Sequence, residues 1–188
     1  MNNINNKNNI KVGYQGLKGA FSYIASCKLY PKEQLINFSS FYEVFLALEH
    51  SQINVAVIPI ENSYAGKVEE TNILLKKFNI KIINKITIPI VHNLAGIHNT
   101  ELQNITHIFS HRQALLQCKK TLQNILPNAQ LIDKQNTAIS AKFISETNNK
   151  NYACICSNEA IIEYKLKNLY PNFQDCKNNY TIFIAISK

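Results

Sequence analysis

Two rhythms of apolar and polar positions alternate along this chain. Ile10-Lys11-Val12-Gly13-Tyr14 reads as a first strand, and Gly16-x-x-Gly19 turns it into a helix over residues 20–29. Ser40 and Glu43 have the spacing of a capping box. Phe41, Val44, Phe45 and Leu48 then recur at i, i+3, i+4 and i+7, which predicts one buried helix face. Residues 54–59 form a β-branched run, a buried strand, and 66–78 read as helix. Residues 81–92 form a long extended segment rich in Ile. After the Gly96 turn the alternation restarts. Strands at 105–109, 130–133 and 152–156 are each followed by a helix, at 112–126, 137–145 and 158–165. A last strand over 180–186 is apolar on both faces.

Strands alternating with helices predict an α/β fold. The extended segment before Gly96 is the natural place for the chain to cross between lobes, and the last strand crosses back. The expectation is two α/β lobes with a cleft between them. The first takes about 10–90 plus 177–188, the second about 91–176, and residues 1–9 are a disordered lead-in. A hinged cleft suits a small ligand.

Composition narrows the partner. The 188 residues carry a formal charge of +8, but only one of the 20 cations is Arg, at position 112. Lys is scattered, with runs no longer than the pairs Lys76-Lys77 and Lys119-Lys120. Nucleic-acid binders cluster charge and use Arg forks, so no nucleic-acid partner is expected. The chain has 26 Asn, 27 Ile and 19 Lys, residues with A/T-rich codons, so much of the charge follows from codon usage. No apolar run approaches the ~18 residues of a membrane span, and the N-terminus lacks a signal peptide's apolar centre. Five Cys without a secretory signal predict reduced thiols and a cytoplasmic setting. Cys154-x-Cys156 can share a strand face, but no second pair completes four metal ligands.

In open α/β sheets, ligands lie beyond the carboxyl ends of strands. Four polar clusters occupy such positions. The turn Gly16-Leu17-Lys18-Gly19-Ala20-Phe21-Ser22 precedes a helix N-terminus that favours an anion. Glu61-Asn62-Ser63 follows an apolar strand, where Asn62 or Ser63 can simply cap a helix but Glu61 is not needed for that. Ser110-His111-Arg112-Gln113 opens another helix, with Ser110 at the expected N-cap and Gln113 and Gln117 on one face. His111 has no acid placed beside it by spacing and suits a surface or capping role. Asn178-Asn179-Tyr180-Thr181 leads into the last strand. A purely structural Thr181 is possible there, since Thr is a good strand former.

Taken in order, these clusters resemble prephenate dehydratase over about 11–187. The matching stretches are Tyr14-Gln15-Gly16-x-x-Gly19-Ala20-Phe21-Ser22, Val57-Ile58-Pro59-Ile60-Glu61-Asn62-Ser63-x-x-Gly66-x-Val68, Ser110-His111-x-Gln113-Ala114-Leu115-x-Gln117-Cys118 and Asn178-Asn179-Tyr180-Thr181-x-Phe183. The resemblance implies two α/β lobes of the periplasmic-binding-protein type II architecture. It implies that prephenate loses carbon dioxide and its ring hydroxyl to give phenylpyruvate, a step of L-phenylalanine biosynthesis. Aromatisation drives this, so no cofactor or metal is required. Thr181 matches the family's catalytic threonine, and Glu61, if burial raised its pKa, would supply the proton. Asn62, Ser63, Ser110, Gln113, Gln117 and Phe183 are the expected substrate contacts, with Gly19, Ala20, Phe21 and Ser22 holding a carboxylate. A homo-oligomer, dimer or tetramer, is also implied.

Three departures matter. The family motif Thr-Arg-Phe reads Thr181-Ile182-Phe183, so a cation serving substrate or fold is absent. Arg112 stands where the family has Pro, and is expected to replace part of that charge. The chain ends at Lys188, so feedback through an ACT regulatory domain on this chain is not expected. Two alternatives stay open: an arogenate dehydratase, whose substrate carries an amine for the keto oxygen, and a catalytically impaired homologue that only binds an aromatic acid.

Overall fold

The computed structural model describes residues 10–188; the lead-in expected over 1–9 lies outside them. In chain order the first lobe holds β1 (Lys11–Gln15), α1 (Phe21–Leu29), β2 (Gln34–Phe38), α2 (Phe41–Glu49), β3 (Val55–Asn62), β4 (Gly66–Lys67), α3 (Glu69–Lys77) and β5 (Lys81–Pro89). The second holds β6 (Asn93–Gly96), β7 (His107–Ser110), α4 (Arg112–Gln117), α5 (Lys119–Ile125), β8 (Gln130–Asp133), α6 (Thr137–Thr147), β9 (Tyr152–Cys156), α7 (Asn158–Glu163) and β10 (Lys167–Tyr170). The chain then returns as β11 (Tyr180–Ser187).

Each lobe has its own sheet. The first runs β2-β1-β3-β11-β5, with β4 folded back on β3. The second runs β10-β6-β9-β7-β8. Within the first, β1, β2 and β3 are parallel, while β11 pairs antiparallel with β3 and β5. The molecule is therefore α/β, two-lobed and cleft, as expected. The chain crosses after Pro89 and again before Tyr180, and the crossings are tied together: Ile90 N donates to Asn179 O at 2.8 Å.

Hydrophobic periodicity fixes the packing. The α2 face Val44, Phe45 and Leu48 is buried against Ile58, Ile184 and Ile186. On the other face of the sheet, Ile24 and Ala25 of α1 pack with Val12, Val57 and Phe183. β11 is thus covered on both faces, which is why its sequence shows no polar alternation. The capping box is built with a small shift. Ser40 Oγ accepts from Glu43 N, while Glu43 Oε2 accepts from Ser39 N and Ser39 Oγ.

Three details depart from the sequence reading. β2, β6 and β10 are strands that the sequence reading does not contain, and β2 and β10 lie at sheet edges. The helix expected from 66 starts at Glu69, because Gly66 (φ +77°) turns β4 back onto Asn62. The single helix expected over 112–126 is two, broken at Cys118. Asp175, from the loop before β11, causes the break. Its carboxylate accepts from Lys120 N, Thr121 N and Thr121 Oγ1, giving α5 an N-terminal partner from outside its own sequence. No described helix is long and apolar enough to cross a membrane.

Candidate active site

The two lobes enclose a cleft of about 500 Å³. Apolar walls come from Phe21, Phe41, Pro59, Ile90 and Phe183, and polar groups converge from both lobes. This is the usual make-up of a small-molecule site.

Strand pairing sets its centre. Thr181 lies opposite Asn62 in the β11–β3 register, and both side chains face the cleft. Asn62 is oriented by its own turn: its Oδ1 accepts from Tyr64 N (3.0 Å) and Ala65 N (2.9 Å). The amide nitrogen must then face the other way. There its two hydrogens are shared among three oxygens: Thr181 Oγ1 (2.9 Å), Tyr180 O (2.9 Å) and Asn179 Oδ1 (3.0 Å). Thr181 Oγ1 thus accepts a hydrogen bond from Asn62, and among the described residues nothing accepts one from Thr181. The cleft is where that proton points.

Gln117 joins this centre from α4. Its Oε1 accepts from Asn179 Nδ2 at 2.9 Å and faces His92 Nε2 at 2.7 Å. His92 is 2% exposed, and burial pushes its pKa down to about 4, with the His111 charge adding and the Gln117 bond opposing. Its ring meets Phe21 edge-on, centroids 5.7 Å apart. Gln113 also lines the cleft, as does His111, whose Nδ1 caps α4 by accepting from Gln113 N at 3.3 Å.

Helix ends complete the walls. The N-terminal residues of α1, α2 and α6 reach the cleft. Ser40 and Asn136 cap α2 and α6 with their own side chains. α1 has no side-chain cap and no acid in its first turn. Its free N–H groups at Phe21 and Ser22 are the ones open to a carboxylate.

Several expected residues lie elsewhere. Glu61 is exposed and points away from Asn62, since successive strand residues face opposite sides. The burial that was to make it an acid is absent. Ser110 is fully buried and donates to Ile155 O at 2.7 Å, so its hydroxyl ties β7 to β9 and the cap is His111 instead. Ser63 Oγ accepts from Tyr180 N and donates to Asn178 O, bracing the loop before β11. Gly19 (φ +86°) packs on Ala160 of the second lobe, while Ala20, Phe21 and Ser22 line the cleft. Arg112 is exposed and lines a separate hollow with Leu115 and Leu126. Among the described residues, the cleft's Lys is Lys67, on β4. Ile182 sits beside Glu61 and Thr87 on the face away from Thr181, so an Arg at this position would meet Glu61 rather than the cleft. Sequence reasoning gave no site role to His92, Asn179 or Lys67. Only Asn179 carried a signal, by standing two residues before Thr181.

Among the described residues, no group of three or more His, Cys, Asp or Glu stands ready for a metal ion. Cys154 and Cys156 are buried with sulfurs 3.7 Å apart, and burial pushes the Cys154 thiol well up, as in small apolar core residues.

Comparison with known proteins agrees with this geometry. The family model for prephenate dehydratase matches residues 12–188. Arogenate dehydratase/prephenate dehydratase 6 of Arabidopsis thaliana is 33% identical over 180 residues, covering 96% of this chain and 44% of that protein. The bifunctional chorismate mutase/prephenate dehydratase of Aquifex aeolicus is 30% identical, covering 95% of this chain and 49% of that one. The structure of prephenate dehydratase in complex with L-Phe from Arthrobacter aurescens superposes with a TM-score of 0.89 at 26% identity, covering 95% of this chain and 60% of that one. The chain spans about half the length of these curated relatives. Fold, cleft and a match over nearly every described residue lead to one assignment: this chain belongs to the prephenate dehydratase family.

Proposed function

We propose that this domain converts prephenate to phenylpyruvate, carbon dioxide and water. The observation that carries the reading is the Asn62–Thr181 pair, a hydroxyl whose oxygen is held by an amide N–H and whose proton is free for the cleft. In the reaction the ring C–CO2 bond breaks and its electron pair enters the ring. The ring C–O bond breaks in turn, and hydroxide leaves with that pair. One proton is consumed to make water. Thr181 donates a hydrogen bond to the departing oxygen, and Asn62 Nδ2–H stabilises the negative charge that grows on Oγ1. Solvent restores the proton. The carboxylate that is kept faces the uncapped N-terminus of α1, with Lys67 as the nearby cation. The carboxylate that is lost sits against Phe21, Phe41 and Phe183, where poor hydration favours its neutral product.

Purified protein given prephenate is expected to form phenylpyruvate, read by its absorbance in alkali. Thr181→Val should lower kcat by about a hundredfold or more, the usual effect of deleting one transition-state donor, with an unchanged melting temperature. Wild-type protein inactive on both prephenate and arogenate, yet stabilised by phenylpyruvate, would instead identify a binding protein. Loss of the Thr-Arg-Phe cation no longer argues for that outcome, because position 182 faces away from the cleft. The domain is also read as homo-oligomeric, on exposed Ile82 and Ile83 along the free edge of β5, which sedimentation would check.

A further inference from the structure

The polar groups behind Thr181 form one continuous chain with one consistent hydrogen-bond assignment, in which Asn179 and His92 both donate to Gln117 Oε1. Two backbone N–H groups, of Tyr64 and Ala65, fix Asn62 Oδ1. Asn62 Nδ2 therefore faces Asn179, which presents Oδ1. Asn179 Nδ2 in turn faces Gln117, which presents Oε1. His92 Nε2, 2.7 Å from that oxygen, must then carry a proton. Two turn amides thus dictate the tautomer of a histidine through three side-chain amides. The four side chains come from four places: β3, the return connection, α4 and the outward connection.

We infer that His92 and Asn179 are positioning residues for Thr181, acting through Gln117 and Asn62 to fix the direction in which the threonine hydroxyl presents its proton. The inference rests on Thr181 being the donor in the reaction proposed above. The reverse chain shows why the tautomer matters. With the proton on Nδ1, His92 Nε2 would offer a lone pair to Gln117 Oε1. Gln117 would turn its amide, Asn179 would follow, and Asn179 Nδ2 would meet Asn62 Nδ2 donor to donor. Asn62 would then be pushed from Thr181. His92 Nδ1, buried and without a partner among the described residues, holds no bond that competes with this arrangement.

The first test needs no turnover. In protein labelled with 15N-histidine, His92 should show the neutral Nε2–H tautomer. Asn179→Asp is nearly isosteric and keeps the acceptor for Asn62, but offers Gln117 an oxygen in place of a donor. Gln117 should turn, and His92 should switch to Nδ1–H. Gln117→Glu removes the donor face of that side chain and should leave His92 as Nε2–H. A wild-type Nδ1–H signal, or the same tautomer in wild type and Asn179→Asp, would overturn the inference whatever the substrate proves to be. The second test is kinetic. His92→Leu should lower kcat about tenfold with KM changed less than about twofold, and His92→Gln, which can supply the same N–H, should recover most of it. In a Thr181→Val background His92→Leu should cost nothing more. Independent, additive losses would show that His92 acts on the fold rather than on Thr181.

Discussion

Cationic side chains in this molecule are abundant, and position decides which of them matters. Arg112 is the sole guanidinium, yet it lies on the solvent side of α4 beside Leu115 and Leu126. Lys67 is one of 19 lysines and, among the described residues, the one lining the cleft. An exposed ammonium paired with a bound carboxylate contributes about 1 kcal/mol, which is roughly fivefold in affinity. Lys67→Gln is therefore expected to raise KM about fivefold with little change in kcat, and Arg112→Gln to leave both unchanged. Steady-state kinetics on the two variants checks this; a KM increase confined to Arg112→Gln would reverse the assignment. At this scale the sequence was informative where chemistry and chain order coincide. Asn62, Gln113, Gln117, Thr181 and Phe183 all reach the cleft. Glu61 and Ser110 do not, because strand alternation and the sideways bond to Ile155 turn them elsewhere. Residue type and spacing carry no record of which strand face a side chain takes once register shifts intervene.

Elements were legible in proportion to their length and amphipathicity. α2 and β11 are each fixed by an apolar pattern with one solution. The break between α4 and α5 was not legible. Its cause, Asp175, lies 55 residues beyond Lys120 in the chain. The same bonds have a pH signature. Partial burial of Asp175 would raise its pKa, but the Lys120 and Thr121 donors outweigh it and hold the carboxyl below its usual value. A group with a depressed folded pKa stabilises above its unfolded value and loses that stabilisation as pH falls through the folded one. Asp175→Asn removes the charge and turns one accepting oxygen into a donor, and is expected to cost about 1–2 kcal/mol at pH 7. The gap between variant and wild type should close as pH drops below about 4. Melting curves across pH 3–7 would show it; a gap independent of pH would mean that the charge is not what Asp175 supplies.

On the scale of the whole molecule, the lobes touch across the cleft as well as through their connections. Ser157 Oγ donates to Gly19 O at 2.6 Å, Tyr164 Oη to Lys18 O at 3.2 Å, and Gln135 Nε2 to Ser39 O at 3.1 Å. The Lys18–Glu163 ion pair is exposed and adds little. The contact is close because Gly19 has no side chain: a Cβ there would stand 2.6 Å from Ala160 Cα, at a φ of +86°. Gly19→Ala is expected to force the lobes apart. Small-angle scattering should give a larger radius of gyration, and KM should rise while kcat at saturation holds. An unchanged radius and KM would show that the turn yields instead.

This contact makes closure part of affinity. α1 and Thr181 belong to the first lobe and Gln117 to the second, so a ligand that needs all three with the lobes seated has a measured affinity equal to the intrinsic one multiplied by the seated fraction. A sequence change that left nine molecules in ten open would weaken apparent binding about tenfold without altering any atom that touches the ligand. By the same linkage, substrate pulls open molecules shut, at the expense of its own binding energy. A tight glycine turn between the lobes is in this sense a gain control, setting how much ligand the cleft needs.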